Sequence, residues 1–122
     1  MGVLNVTPDS FSDGGRFLAP EAAIAQAERM IAEGADVIDV GAESTRPGAR
    51  RVPAAEQISR LREVVPAVAG RGWTVSIDTT SAKVAAFALD AGARIINDVS
   101  AGRDDWEIVL LAAERGVPLV LM

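Results

Sequence analysis

The chain has 122 residues, 49% of them hydrophobic, with 11 glycines, 6 prolines and a net charge of −5. This is the size and composition of one globular domain, residues 1–122, rich in alanine and aliphatics, and it excludes an intrinsically disordered chain. With neither cysteine nor histidine, the chain lacks disulfides, zinc–thiolate sites, Cys nucleophiles and Ser–His catalysis.

Any metal must then sit on oxygen donors, which suits a hard cation such as Mg²⁺. The negative charge argues against non-specific nucleic-acid binding. No apolar run approaches the roughly 20 residues that cross a bilayer. Met1–Asp9 has no basic stretch ahead of an apolar one, as a signal peptide would. The expectation is a soluble, cytoplasmic domain.

Val3–Val6 reads as a first short strand. A helix follows over Glu21–Glu33, with Ala22, Ile24, Ala27, Met30 and Ile31 near helical spacing, Pro20 at its first position and Gly34 as its C-cap. Asp36–Val40 is the second strand, with the apolar density of one covered on both faces. After a polar stretch, Glu43–Arg51, a helix is predicted over Pro53–Ala69, kinked or ended early by Pro66. Thr74–Ile77 is the third strand. Ser81–Ala91 is the third helix, capped by Thr80 or Ser81 and ended by Gly92. A fourth strand begins at Arg94–Ile96, and a fourth helix over Asp104–Arg115 takes Asp104 or Asp105 as its cap. Val117–Met122 is the fifth strand, and Trp73 and Trp106 read as packing residues.

Strands alternating with helices imply right-handed crossovers and a parallel sheet. Two α/β architectures fit, an open doubly wound sheet or part of a (β/α)₈ barrel. The chain has no G-x-G-x-x-G after a strand and no G-x-x-x-x-G-K-[ST], which weakens the nucleotide-binding version. A full barrel takes about 250 residues, so five strands and four helices make a little over half of one.

Each strand turns polar at its C-terminal end: Asn5 with Thr7 and Asp9, Asp39 with Glu43, Asp78 with Thr79, Asn97 with Asp98. In parallel β/α folds those ends share the face where active sites are built. Thr79, Thr80, Ser81, Asp104 and Asp105 read as caps and turn residues. Asp39, Asp78 and Asn97 read as functional, because a polar group inside an aliphatic strand is costly without a partner. Asp98 fits either role. Two polar segments, Asn5–Gly15 and Gly41–Ala49, are either surface loops or site loops on composition alone. Arg46, beside two hydroxyls, is a solvated charge or an anion grip.

Those two segments carry a resemblance. LNVTPDSFSDGG from Leu4 and GAESTRPGA from Gly41 resemble the first two signatures of dihydropteroate synthases. Ser76–Thr79, Ile95–Ser100 and Val120–Met122 resemble that family's third, fourth and fifth strand motifs, in order. The resemblance covers essentially the whole chain and implies the first five strands and four helices of a TIM barrel. It implies an enzyme of folate biosynthesis that condenses 6-hydroxymethyl-7,8-dihydropterin diphosphate with para-aminobenzoate, releasing pyrophosphate. By position, Asn5 corresponds to the Mg²⁺ ligand, and Asp78, Asn97, Val99, Met122 and Asp39 to the pterin pocket. Phe11, Ser12, Thr45, Arg46 and Pro47 correspond to loops contacting diphosphate and aminobenzoate. Asp13 and Asp78 take the catalytic roles, Asp13 being suited to a cationic pterin methylene.

The resemblance further implies a sulfonamide target and a homodimeric parent. Ala42 and Ala101 stand where the family commonly has glycine, which stiffens those loops if the backbone needs positive φ. The family's later pterin-binding Asp and Lys and its Arg-x-His have no counterpart before Met122, so the 122-residue chain alone is expected to be inactive. Its open sheet edges are expected to associate. The alternatives are a non-catalytic half barrel and a related pterin-binding methyltransferase domain.

Overall fold

A computed structural model describes residues 1–6, 20–43 and 51–121. Ten elements follow one another: β1 (Gly2–Asn5), α1 (Pro20–Ala32), β2 (Val37–Gly41), α2 (Ala54–Leu61), α3 (Val64–Ala69), β3 (Thr74–Asp78), α4 (Ala82–Asp90), β4 (Ile95–Asp98), α5 (Glu107–Arg115) and β5 (Leu119–Leu121). The strands form one sheet in the order β1-β2-β3-β4-β5, all parallel. This order separates the two candidate architectures. A doubly wound sheet reverses its strand order at a switch point, whereas a barrel adds each strand beside the last. The sheet is an arc of a parallel β/α barrel.

Side-chain parity explains how the arc is covered. Leu4, Ile38, Val40, Val75, Ile77 and Ile96 have no exposed surface and form the face on which the helices pack. Helices from successive crossovers lie side by side there, α1 against α3, α2 against α4 and α4 against α5. The alternate positions, among them Asp39, Ser76, Asp78 and Asn97, point to the opposite face of the sheet. Burial of the aliphatic face is the main stabilising contribution, about 25 cal/mol per Å² of apolar surface removed from water.

The long helix expected over Pro53–Ala69 is two helices, so the arc has five helical segments where four were expected. Arg62 and Glu63 separate them, and Pro66 occupies the third position of α3. In one continuous helix Pro66 would leave the Arg62 carbonyl without a donor and its ring would press on that oxygen; in a first turn neither penalty arises. Ser81, and not Thr80, caps α4, its Oγ accepting from Val84 N–H at 3.3 Å. Helix α5 starts three residues later than expected. Asp105 still serves its N-terminus, with Oδ1 accepting from Glu107 N–H at 3.2 Å and Oδ2 from Ala82 N–H at 2.8 Å. One carboxylate thus ties the starts of two neighbouring helices.

Trp73 packs against the core, with Arg71 over its ring at 5.0 Å. Trp106 does not: it is 63% exposed at the N-cap of α5, which corrects its assignment as a packing residue. Among the described residues Ala101 is the one non-glycine with positive φ, at 54°. The backbone there does require the left-handed region, as the substitution of alanine for the family's glycine raised; Ala42 shows no such need.

Candidate functional site

The strand register aligns the candidate residues in one row. Asn5 pairs with Gly41, Gly41 with Asp78, Asp78 with Asn97, and Asn97 with Val120. Each lies at or next to the C-terminal end of its strand, so five separate stretches of sequence meet at one level of the sheet. Sequence reasoning found Asn5, Asp78 and Asn97. It missed Gly41, which is buried and leaves room where a Cβ would stand 3.3 Å from the Asp78 Cβ and 3.4 Å from Asp78 Oδ2. A glycine after an aliphatic run was the available signal, and it was absorbed into the loop motif that it opens.

Directly below this row lie Asp39 and Ser76, themselves in register. Asp39 is 3% exposed, and its Oδ2 accepts from Asn97 Nδ2 at 3.2 Å. That bond orients the Asn97 amide and turns its Oδ1 into a free acceptor. Among protein atoms, Asn97 Oδ1, Asp39 Oδ1 and Ser76 Oγ are buried without a hydrogen-bond partner. Unpaired buried polar atoms each cost roughly 1–3 kcal/mol, a cost that the Ser76 hydroxyl beside Asp39 offsets in part, so the fold holds this polar cluster at some expense of stability. Ser76 is a second residue missed from sequence, although its position between Val75 and Ile77 gave it the parity of Asp39.

Burial dominates the electrostatics. It raises the Asp39 carboxyl above the usual carboxylate range, and the adjacent Ser76 hydroxyl and Asn97 amide offset this only in part. Asp78 is pushed up to about 6, first by burial and then by the negative charges of Asp39, Glu43 and Asp98. The pair offers an acceptor that gains or loses its proton close to neutrality, beside an amide whose direction is fixed. Such an array suits a planar heterocycle presenting adjacent donors and acceptors.

Asp98 belongs elsewhere. It shares the parity of Ile96, has no exposed surface, and accepts from Ser100 N–H at 2.8 Å, Ser100 Oγ at 2.7 Å and Gly102 N–H at 2.8 Å. It organises the turn after β4, and of its two possible roles the structural one holds. Val99 is half-buried in that turn. Asn5 is exposed at the end of β1, with its amide oxygen available to a hard cation. No group of three or more Asp or Glu side chains is arranged for metal binding among the described residues. Phe11, Ser12, Asp13, Thr45, Arg46, Pro47 and Met122 lie outside the described residues.

Known proteins resemble this chain along its whole length. Residues 1–122 match the family model described as pterin binding enzyme. The dihydropteroate synthase of Mycobacterium leprae is 57% identical over 122 residues, which cover 100% of this chain and 43% of that protein. The structure of Xanthomonas albilineans dihydropteroate synthase with 4-aminobenzoic acid superposes with a TM-score of 0.86 at 44% identity, covering 97% of this chain and 44% of that one. The Anaplasma phagocytophilum dihydropteroate synthase with bound 6-hydroxymethylpterin-monophosphate gives a TM-score of 0.83 at 48% identity, covering 97% of this chain and 46% of that one. The chain thus spans less than half the length of each of these. Matched along its whole length, it belongs to the pterin-binding enzyme family.

Proposed function

We propose that this chain forms the N-terminal part of the substrate site of a dihydropteroate synthase, which joins 6-hydroxymethyl-7,8-dihydropterin diphosphate to para-aminobenzoate and releases pyrophosphate. The observation that carries it is the buried Asp39–Asn97 pair beneath Asp78, at the C-terminal ends of consecutive parallel strands. Asp78 accepts from the N–H edge of the pterin, and Asn97, held by Asp39, meets the adjoining ring atoms. Val99 and Met122 supply apolar walls. The pterin- and aminobenzoate-bound relatives make these two compounds the natural substrates to try.

The remaining assignments belong to this reading. Thr45, Arg46, Pro47, Phe11 and Ser12 take the diphosphate and aminobenzoate roles, and Asp13 serves the reacting methylene, whose C–O bond to the diphosphate breaks ahead of amine attack and leaves a cationic methylene that a carboxylate suits. Asn5, an exposed oxygen donor, would hold a hard cation. Mg²⁺ bound there supplies charge neutralisation for the leaving diphosphate. The parent enzyme is on this reading a cytoplasmic homodimer, open to sulfonamides in place of aminobenzoate.

The test is pyrophosphate release by the full-length gene product that contains this chain. Release is expected only with both substrates, and Asp78→Asn should lower kcat/KM about 100-fold, the scale of losing a charge-assisted contact to the ring. The 122-residue chain by itself should release none. Release by the full-length protein unaltered by Asp78→Asn would refute the assignment.

A further inference from the structure

Gly41 is the one member of the row without a side chain, and its own backbone gives no reason for that. It closes β2 in register with Asn5 on one side and Asp78 on the other, and neither ladder skips a residue. Its φ is not among the positive values. Glycine weakens a strand, and one that stands in it without a bulge or a bend marks a close approach. The approach here is that of Asp78. Outside the neighbours of Gly41 in the chain, the three atoms nearest to where its Cβ would stand are Asp78 Cβ at 3.3 Å, the Asp78 carbonyl oxygen at 3.4 Å and Asp78 Oδ2 at 3.4 Å. An alanine would fit there once Asp78 gave way by a few tenths of an ångström. The fold therefore tolerates a methyl group, and what the glycine protects is the place of the carboxylate.

That carboxylate is open to a push. Asp39 and Asp98 are each held by a donor, whereas among the described residues no hydrogen bond holds Asp78. The charges that act on it, those of Asp39, Glu43 and Asp98, all disfavour its own. Packing against β2 then decides where Oδ2 stands. Its partner on the other side, Asn97, is fixed differently, by the bond to Asp39. We propose that Gly41 is a positioning residue: the space it leaves sets the Asp78 carboxylate in the place from which it grips the pterin ring beside Asn97. This rests on the reading of Asp78 as the acceptor of the pterin N–H edge.

Gly41→Ala and Asp78→Ala, made singly and together in the full-length gene product, test it. Gly41→Ala should weaken binding of 6-hydroxymethyl-7,8-dihydropterin diphosphate about tenfold in calorimetry, the scale of a sub-ångström misplacement, and leave KM for aminobenzoate within about twofold. Its Tm should be unchanged or higher, since alanine restricts the unfolded chain more than glycine does. In the Asp78→Ala background the same substitution should cost less than about twofold, because the group it acts through is gone. A readout independent of substrate is the titration of the Asp78 carboxyl carbon, followed by ¹³C NMR. Its midpoint should move up in Gly41→Ala, as the methyl group removes water from Oδ2. Pterin binding unchanged in Gly41→Ala, an equal loss with and without the Asp78 carboxylate, or a loss on both substrates that tracks a fall in Tm overturns the proposal. A wild-type protein that binds no pterin diphosphate overturns the functional reading instead, and the carboxyl titration then decides by itself whether Gly41 places Asp78.

Discussion

Asp78 couples the chemistry of the site to the stability of the fold. Its carboxyl has an ordinary value of 3.8 and is pushed up to about 6 in the folded chain. Between those values the native state keeps a proton that the unfolded chain has released, so stability falls as pH rises through this window and is level above it. Asp78→Asn should therefore flatten that slope and stabilise the protein at neutral pH by on the order of 2 kcal/mol, measured by urea unfolding from pH 4 to 8. Binding is gained at a cost in stability, and the variant should show both sides. At Ala101 the left-handed backbone works against the side chain, so Ala101→Gly should raise stability by about 0.5–1 kcal/mol in the same assay. The sequence made Asp39, Asp78 and Asn97 legible because a polar residue in an aliphatic strand stands out. It hid Gly41 and Ser76, whose roles are to leave space and to sit beside a carboxylate; both depend on register, which no single stretch of sequence carries.

At the level of elements, strand and helix positions followed from apolar spacing and glycine stops to within about a residue, apart from the late starts of α5 and β5. The errors have local causes. Pro66 was recognised as disruptive, but its effect falls four residues upstream, at the carbonyl it would crowd, so the predicted kink is a break between α2 and α3. The choice between Thr80 and Ser81 was equivocal from sequence, since both are capping types, and backbone geometry decides it for Ser81. Ser81→Ala should then cost about 1 kcal/mol in thermal or urea unfolding, and Thr80→Ala only a few tenths. Equal effects would mean the cap is shared.

For the molecule as a whole, the arc has two outer edges, on β1 and β5, neither paired among the described residues. Met1, Val3, Val120 and Leu121 are exposed along them. Unpaired parallel edges flanked by apolar side chains template further pairing. The 122-residue chain on its own should therefore self-associate at micromolar concentration, with a light-scattering mass that rises with concentration; a monomeric mass throughout would contradict this. The aliphatic face is already covered by helices, so association is expected at the edges and not by exposure of the core.

The row Asn5–Gly41–Asp78–Asn97–Val120 also bears on inheritance. Its members come from five strands but stand at one height, so residues inserted into or deleted from a connecting loop leave the row intact. A single deletion inside a strand does the opposite: it drops one member by a level and turns it to the helix-packed face, since successive side chains alternate. Lineages carrying this row should therefore vary freely in loop length while keeping strand length fixed, residue for residue, across the level where the row lies.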